Sequence, residues 1–261
     1  MQVISWANQK GGVGKTTCCV NTAGVMAEKG FRTLVIDLDP QCNASTTLIG
    51  DEVKRYKKED TAYGIFADPQ QPYAKIATPH ERIENLFVVP SSLELTGLEM
   101  ELPSRYHWGG ILSHFLQKSK PQLDFVFIDC PPNLGIFTMN AFSASNWLIV
   151  PVQTERYAFG GYDTLMSKMH LIQSHCPNLD LLGGVATMYD GRTKNAKEWM
   201  ANVESLFGDK LLGTIHRSRD IAEATTADML IQEVNVKDRC YREFLELARE
   251  ICRRIGVAFP K

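Results

Sequence analysis

The sequence has no pair of cysteines at C-x-x-C spacing, no apolar run long enough to cross a bilayer, and almost no net charge. Each absence closes a class of function. The seven cysteines stand at 18, 19, 42, 130, 176, 240 and 252. An odd, scattered set in a chain without export features is expected to be free thiols in a cytoplasmic protein, not a disulfide framework. The first hydrophobic stretch is cut almost at once by Lys10 and the glycines after it, so it does not read as a signal segment. A formal charge of −2 gives no general attraction to polyanions, and any nucleic-acid binding must come from a local patch. Internal repeats and low-complexity blocks are missing as well.

What is present fits one α/β domain spanning 1–261, with 44% hydrophobic and 22% charged residues. Apolar runs that do not alternate predict strands at 3–7, 33–37, 86–89, 125–129, 148–151, 184–188 and 211–215. This is the pattern of strands covered on both faces. Helical periodicity predicts helices at 16–29, 109–117, 162–175, 195–207 and 238–255. The alternation implies a mostly parallel, twisted sheet flanked by helices on both faces. Residues 50–85 carry the charge run DEVKRYKKED and little pattern, and read as partly loop. Because the first strand begins at Val3, no N-terminal helix-turn-helix is expected.

The run NQKGGVGKTT begins at Asn8. It fails the strict phosphate-loop spacing, because Gln9 stands where a glycine is wanted, five residues before Gly14. The physics survives the mismatch. Gly11, Gly12 and Gly14 permit a tight turn whose backbone amides, with that of Val13, face a polyanion. A strand precedes the turn and a helix N-terminus follows it, which is the order a nucleotide site needs. Lys15 would reach terminal phosphates, and Thr16, followed by Thr17, would offer its hydroxyl to Mg2+. Lys10 has no role in that scheme and would ordinarily be a solvated lysine.

Two strand ends add carboxylates. Asp37 and Asp39 end the second strand in VIDLDPQCNAS, and Asp129 ends a later one in FIDCPPNLG. In an open parallel sheet these ends emerge beside the loop that follows the first strand. One or two carboxylates there can orient the waters of a nucleotide-bound Mg2+.

With KGGVGKTT at 10–17, DLDPQCNAS at 37–45, DCPPNLG at 129–135, PVQTERYAFGG at 151–161 and TMYDGRT at 187–193, the chain resembles the ParA/MinD group of deviant Walker ATPases. Within it, the likeness is to the ParA-type partition proteins, and it implies a P-loop NTPase fold that uses ATP and Mg2+. It also implies a homodimer closed face to face on ATP, in which Lys10 reaches the partner's phosphates and hydrolysis releases the dimer. Lys15 is implied to bind the β- and γ-phosphates, Thr16 to ligate Mg2+, Asp39 to orient the attacking water near the metal, and Asp129 to hold Mg2+ through water. Asp37 is expected to support the Asp39 loop. Slow hydrolysis, raised by a ParB-like or cargo adaptor protein, follows from the same resemblance. His216 and Ser218 depart from the family's Pro-Arg-Asn stretch, which leaves the adenine contacts open.

Partition proteins bind duplex DNA without sequence preference, which needs positive surface and no base-reading motif. On a C-terminal helix Arg239, Arg242, Arg249 and Arg253 share an arc of roughly 80°, although Glu246 sits inside it. Arg192, Lys194, Arg217 and Arg219, with Lys197, form a second basic group. The expected location is cytoplasmic, with nucleoid association in the ATP state. A positioning ATPase for a chemotaxis cluster, pilus or microcompartment uses the same cycle and is the alternative. A MinD-like membrane anchor is less well supported, since only residues 256–261 follow the last helix. A nitrogenase-like iron protein would need a cysteine soon after Asp129, and 131–140 contain none.

Overall fold

The computed structural model describes residues 1–104, 108–119, 122–155, 166–167, 170–171, 173–174, 177–192 and 194–260. Its eight strands form one sheet in the order β3-β4-β2-β5-β1-β6-β7-β8. They are β1 Gln2–Trp6, β2 Thr33–Asp37, β3 Thr78–Pro79, β4 Leu86–Val89, β5 Phe125–Asp129, β6 Trp147–Gln153, β7 Asp180–Tyr189 and β8 Leu211–His216. Every pairing is parallel except that of β3, a two-residue edge strand, with β4.

Side-chain alternation along the strands gives each face its own core. Val3, Leu34, Ile36, Val126 and Ile128 belong to one cluster with Phe66, Leu98, Phe115, Phe142 and Phe207 from the helices over that face. Ile4, Trp6, Val35, Phe125 and Phe127 belong to the other. There they meet Val20 and Met26 of helix α1 (Lys15–Glu28) and Phe244, Leu247 and Ile251 of the C-terminal helix Arg239–Ile255. Both faces are covered, so the strand runs are apolar throughout.

The seven expected strands are all present, and β7 is longer than the expected 184–188. Expected helices at 16–29, 109–117, 195–207 and 238–255 correspond to Lys15–Glu28, Ile111–Ser119, Lys194–Phe207 and Arg239–Ile255. The one expected at 162–175 falls mostly outside the described residues. Residues 50–85 hold more structure than a loop: two 3-10 turns, the helices Ala62–Ala67 and Tyr73–Ile76, and β3. Elements this short carry no readable period. The helix at 62 is marked only by its cap, where the Thr61 hydroxyl accepts from the Tyr63 N–H at 3.2 Å.

Candidate nucleotide site

β1 and β5 lie at the centre of the sheet, and the polypeptide leaves β1 directly into the glycine loop. Asn8 anchors that loop from within. Its Nδ2 donates to the Pro151 carbonyl at 2.7 Å, and its Oδ1 accepts from the Lys10 N–H at 3.0 Å. The far side is held by the Thr187 hydroxyl, which donates to the Val13 carbonyl at 2.8 Å. Gly12 and Gly14 have φ of 72° and 81°, a left-handed conformation that a side chain would strain. The loop then enters α1, whose first residue is Lys15.

Lys15 is buried, and its Nζ donates back to the Lys10 carbonyl at 3.2 Å. Burial lowers its pKa, opposed by the negative charges of Asp129 and Asp39. Thr16 Oγ1 donates to Asp129 Oδ2 at 2.7 Å. The other carboxylate oxygen of Asp129 is fully buried with no hydrogen-bond partner in the protein. Asp37 stands opposite Asp129 in the β2–β5 register. Burial pushes the Asp129 carboxyl well up, and the charge of Asp37 adds to it. Burial likewise raises Asp37 to about 6, against hydrogen bonds from Ser45 and Asp39 that favour its charged form. Two packed carboxylates with one orphaned oxygen, beside a threonine hydroxyl, are a donor set suited to a hard divalent cation. Mg2+ fits them.

Asp39 sits one turn further along. Its N–H donates to Asp37 Oδ1 at 3.0 Å, and its own Oδ1 accepts from the Gln41 N–H at 3.0 Å. Asp37 also takes two bonds from Ser45, backbone at 2.9 Å and hydroxyl at 2.6 Å. It therefore fixes the Asp39 loop against the helix Asn43–Ile49, the supporting part expected of it.

A cavity of about 420 Å3 runs from this cluster across the loop. Gly11, Gly12, Gly14, Lys15, Thr16, Thr17 and Asp39 line its inner part, and Met188, Thr225, Asp228 and Met229 its outer end. Lys10 does not line it. Its ammonium pairs with the Glu155 carboxylate, each side chain about a third exposed (33% and 35%).

His216 and Ser218 do not line the cavity either. His216 is bound to the C-terminal helix: its N–H donates to Glu243 Oε2 at 2.8 Å, its Nδ1 lies 2.7 Å from Glu243 Oε1, and the Tyr189 ring meets it edge-on. Ser218 caps the helix Arg219–Thr226, accepting from the Asp220 N–H at 3.0 Å. That helix and the turn after it deliver Thr225, Asp228 and Met229. Sequence reasoning missed these, as it missed Asn8. The only signal was the cap, serine one residue before the helix with an aspartate in the first turn.

The basic candidates are largely neutralised. Arg239 pairs with Glu243, Arg249 with Glu246, Arg253 with Glu250, Arg219 with Glu223 and Arg192 with Asp190. Among the described residues Arg217 and Arg242 are exposed arginines without an ion pair. The Lys194 side chain lies outside the described part of the structure.

A family model described as an AAA domain matches residues 1–181. The chain is 35% identical over 257 residues to the chromosome-partitioning ATPase Soj of Treponema pallidum, covering 98% of each. It is 36% identical over 253 residues to the sporulation initiation inhibitor protein Soj of Bacillus subtilis, covering 96% of this chain and 98% of that one. Among solved structures, cobyrinic acid a,c-diamide synthase from Mycobacterium smegmatis with bound ATP analog and magnesium superposes with a TM-score of 0.81. It is 27% identical, and the match covers 100% of this chain and 99% of that one.

Proposed function

The chain belongs to the ParA-type partition ATPases, and we propose that it acts as an ATP-dependent switch in the segregation of DNA. It closes into a homodimer on ATP, binds duplex DNA without sequence preference, and is reset by slow, partner-stimulated hydrolysis. The observation that carries this reading is the bond from Thr16 to Asp129, with the second Asp129 oxygen orphaned and Lys15 alongside. Such a cluster is built for a magnesium nucleotide.

In this mechanism the loop amides from Gly11 to Thr17 and the Lys15 ammonium bind the phosphates and neutralise their charge. Thr16 and Asp129 would hold Mg2+, Asp129 through water, and the ion would supply positive charge against the phosphates. Asp39, steadied by Asp37, orients the attacking water. Positioning is most of the work, so an isolated site turns over slowly. Lys10 supplies charge to the partner's phosphates, and before that it must leave Glu155. The reading puts the protein in the cytoplasm, on the nucleoid when ATP is bound, with a ParB-like or cargo adaptor as activator. No helix among the described residues is long and apolar enough to cross a membrane.

Sedimentation of Asp39→Ala with Mg-ATP tests it. A dimer that forms with ATP and not ADP is the expected result. A protein that binds ATP yet stays monomeric at tens of micromolar refutes the switch.

A further inference from the structure

The short helix Leu95–Glu101 buries Leu95 and Leu98 in the core cluster that holds Phe66 and turns its other face outward. On that outer face Leu93 and Met100 are 67% and 88% exposed. Leu93 belongs to the turn leading into the helix, its carbonyl accepting from the Thr96 N–H at 3.1 Å, so the helical spacing reaches back to it. Positions 93, 97 and 100 therefore share one face. Gly97 lies between the two apolar side chains, and a Cβ built there meets nothing within 4 Å. Two large apolar posts with an open saddle between them form a seat for an apolar side chain of another molecule.

The rim of that seat is acidic. Glu94, Glu99 and Glu101 surround it, and residues 91–104 contain no lysine, arginine or histidine. We propose that this face docks the protein partner that resets the nucleotide cycle, and that the partner presents a large apolar side chain flanked by lysine or arginine. The inference rests on the switch reading above.

Both acidic loops of the site are bonded to this segment. Glu99 Oε1 accepts from Asn133 Nδ2 at 3.3 Å, and Asn133 adjoins Pro132, which lines the nucleotide cavity. At the other end the Ser91 N–H donates to Ser45 Oγ at 2.7 Å, and the Ser45 hydroxyl donates to Asp37 at 2.6 Å. Asp37 in turn accepts from the Asp39 N–H. A cation that competes for Glu99 frees Asn133. Movement of the 91–101 segment is passed through Ser45 and Asp37 to Asp39.

The test is selection of phage-displayed random 12-residue peptides on the ATP-loaded protein, with Leu93→Glu/Met100→Glu as counter-selection. Both residues are exposed, so the double variant should keep its melting temperature. Enriched peptides should pair a leucine, methionine or phenylalanine with lysine or arginine. They should bind the parent at least about tenfold tighter than the double variant, a difference of about 1.4 kcal/mol. They should lose affinity for Glu94→Lys as well. No enrichment on the parent, or equal binding to the double variant, overturns the proposal. So does loss of the ATP dimer in the double variant, which would make this face a subunit contact. Mg-ATP binding by the parent is measured first: its failure would remove the switch reading and the proposal with it, whereas ATP binding without enrichment overturns the docking proposal alone.

Discussion

Thr16 Oγ1 donates to Asp129 Oδ2 at 2.7 Å, joining the first turn of α1 to the end of β5. The bond fixes in advance the two groups proposed to hold magnesium. Asp129→Asn keeps a hydrogen-bonding group for Thr16 and removes the charge. It should lower Mg-dependent ATP turnover by about 10- to 100-fold, the usual scale for a partner that orients metal ligands. Nucleotide affinity measured in EDTA should hardly change. Equal turnover in the variant would take Asp129 out of the metal site.

Lys10 and Lys15 stand five residues apart and should fail differently. Lys15 lies in the cavity, so Lys15→Ala should abolish nucleotide binding and with it dimerisation. Lys10 sits outside the cavity on Glu155, so Lys10→Ala should keep nucleotide and lose the dimer. Isothermal titration with ATP and sedimentation of the same samples separate the two. Loss of ATP affinity in Lys10→Ala would assign Lys10 to its own subunit's phosphates.

Asp39→Ala should bind Mg-ATP and form the dimer yet hydrolyse at least about 10²-fold more slowly, the lower end for a group that steers proton transfer and attack. Single-turnover measurement avoids confusion with slow product release. Parent-like hydrolysis in the variant would leave the water to another residue.

The sheet and the inner end of the cavity were legible in the sequence because both depend on local signals. Seven strands are largely apolar runs, and the glycine loop, Thr16 at the start of α1, Asp39 just past β2 and Asp129 at the end of β5 all lie within short motifs. The outer end of the cavity was not legible. Met188, Thr225, Asp228 and Met229 come from two distant segments, and only the β7–β8 pairing and the Ser218 cap bring them together. The basic arc of the C-terminal helix was correctly placed as geometry but overcounted as charge. Helical spacing predicts that Arg239, Arg249 and Arg253 share a side, and the same i,i+3 and i,i+4 spacing gives each a glutamate.

His80 carries a pH dependence. Its Nδ1 accepts the N–H of Arg82 at 3.2 Å and of Ile83 at 3.1 Å, which fixes the neutral ring with its proton on Nε2, 4.0 Å from Glu233 Oε2. Burial lowers its pKa, opposed by the charge of Glu233, while Arg82 lowers it further. A proton on Nδ1 must break both backbone contacts. The unfolded chain, with a pKa of about 6.5, then takes up protons before the folded one. This part of the stability is full above about pH 6.5 and is lost as pH falls toward the folded value. His80→Asn, whose Oδ1 can accept the same bonds, should flatten the fall of the melting temperature between about pH 7 and 5. Identical profiles would place the acid sensitivity elsewhere.

DNA binding should depend on the unpaired arginines more than on the arc as a whole. A phosphate contact made by Arg249 or Arg253 must first displace Glu246 or Glu250, whereas Arg217 and Arg242 form no ion pair among the described residues, although Asp190 acts on Arg217 from further away. Glu243 ties His216, the residue before Arg217, to the turn of helix that carries Arg242, so both project from one part of the surface. Removing one cation from a DNA phosphate should reduce the slope of log affinity against log salt by about 0.9. Arg217→Gln and Arg242→Gln should therefore each flatten the slope by about that amount on two unrelated duplexes, and a dimer would double the effect. Arg249→Gln and Arg253→Gln should change it less, because each removes a cation already matched by a carboxylate. Fluorescence anisotropy of the ATP-loaded protein over a salt series reads this directly. If the paired arginines carry the larger slope, the ion pairs open on DNA and the whole arc is the binding face. If none of the four alters it, the phosphates are held by other basic residues.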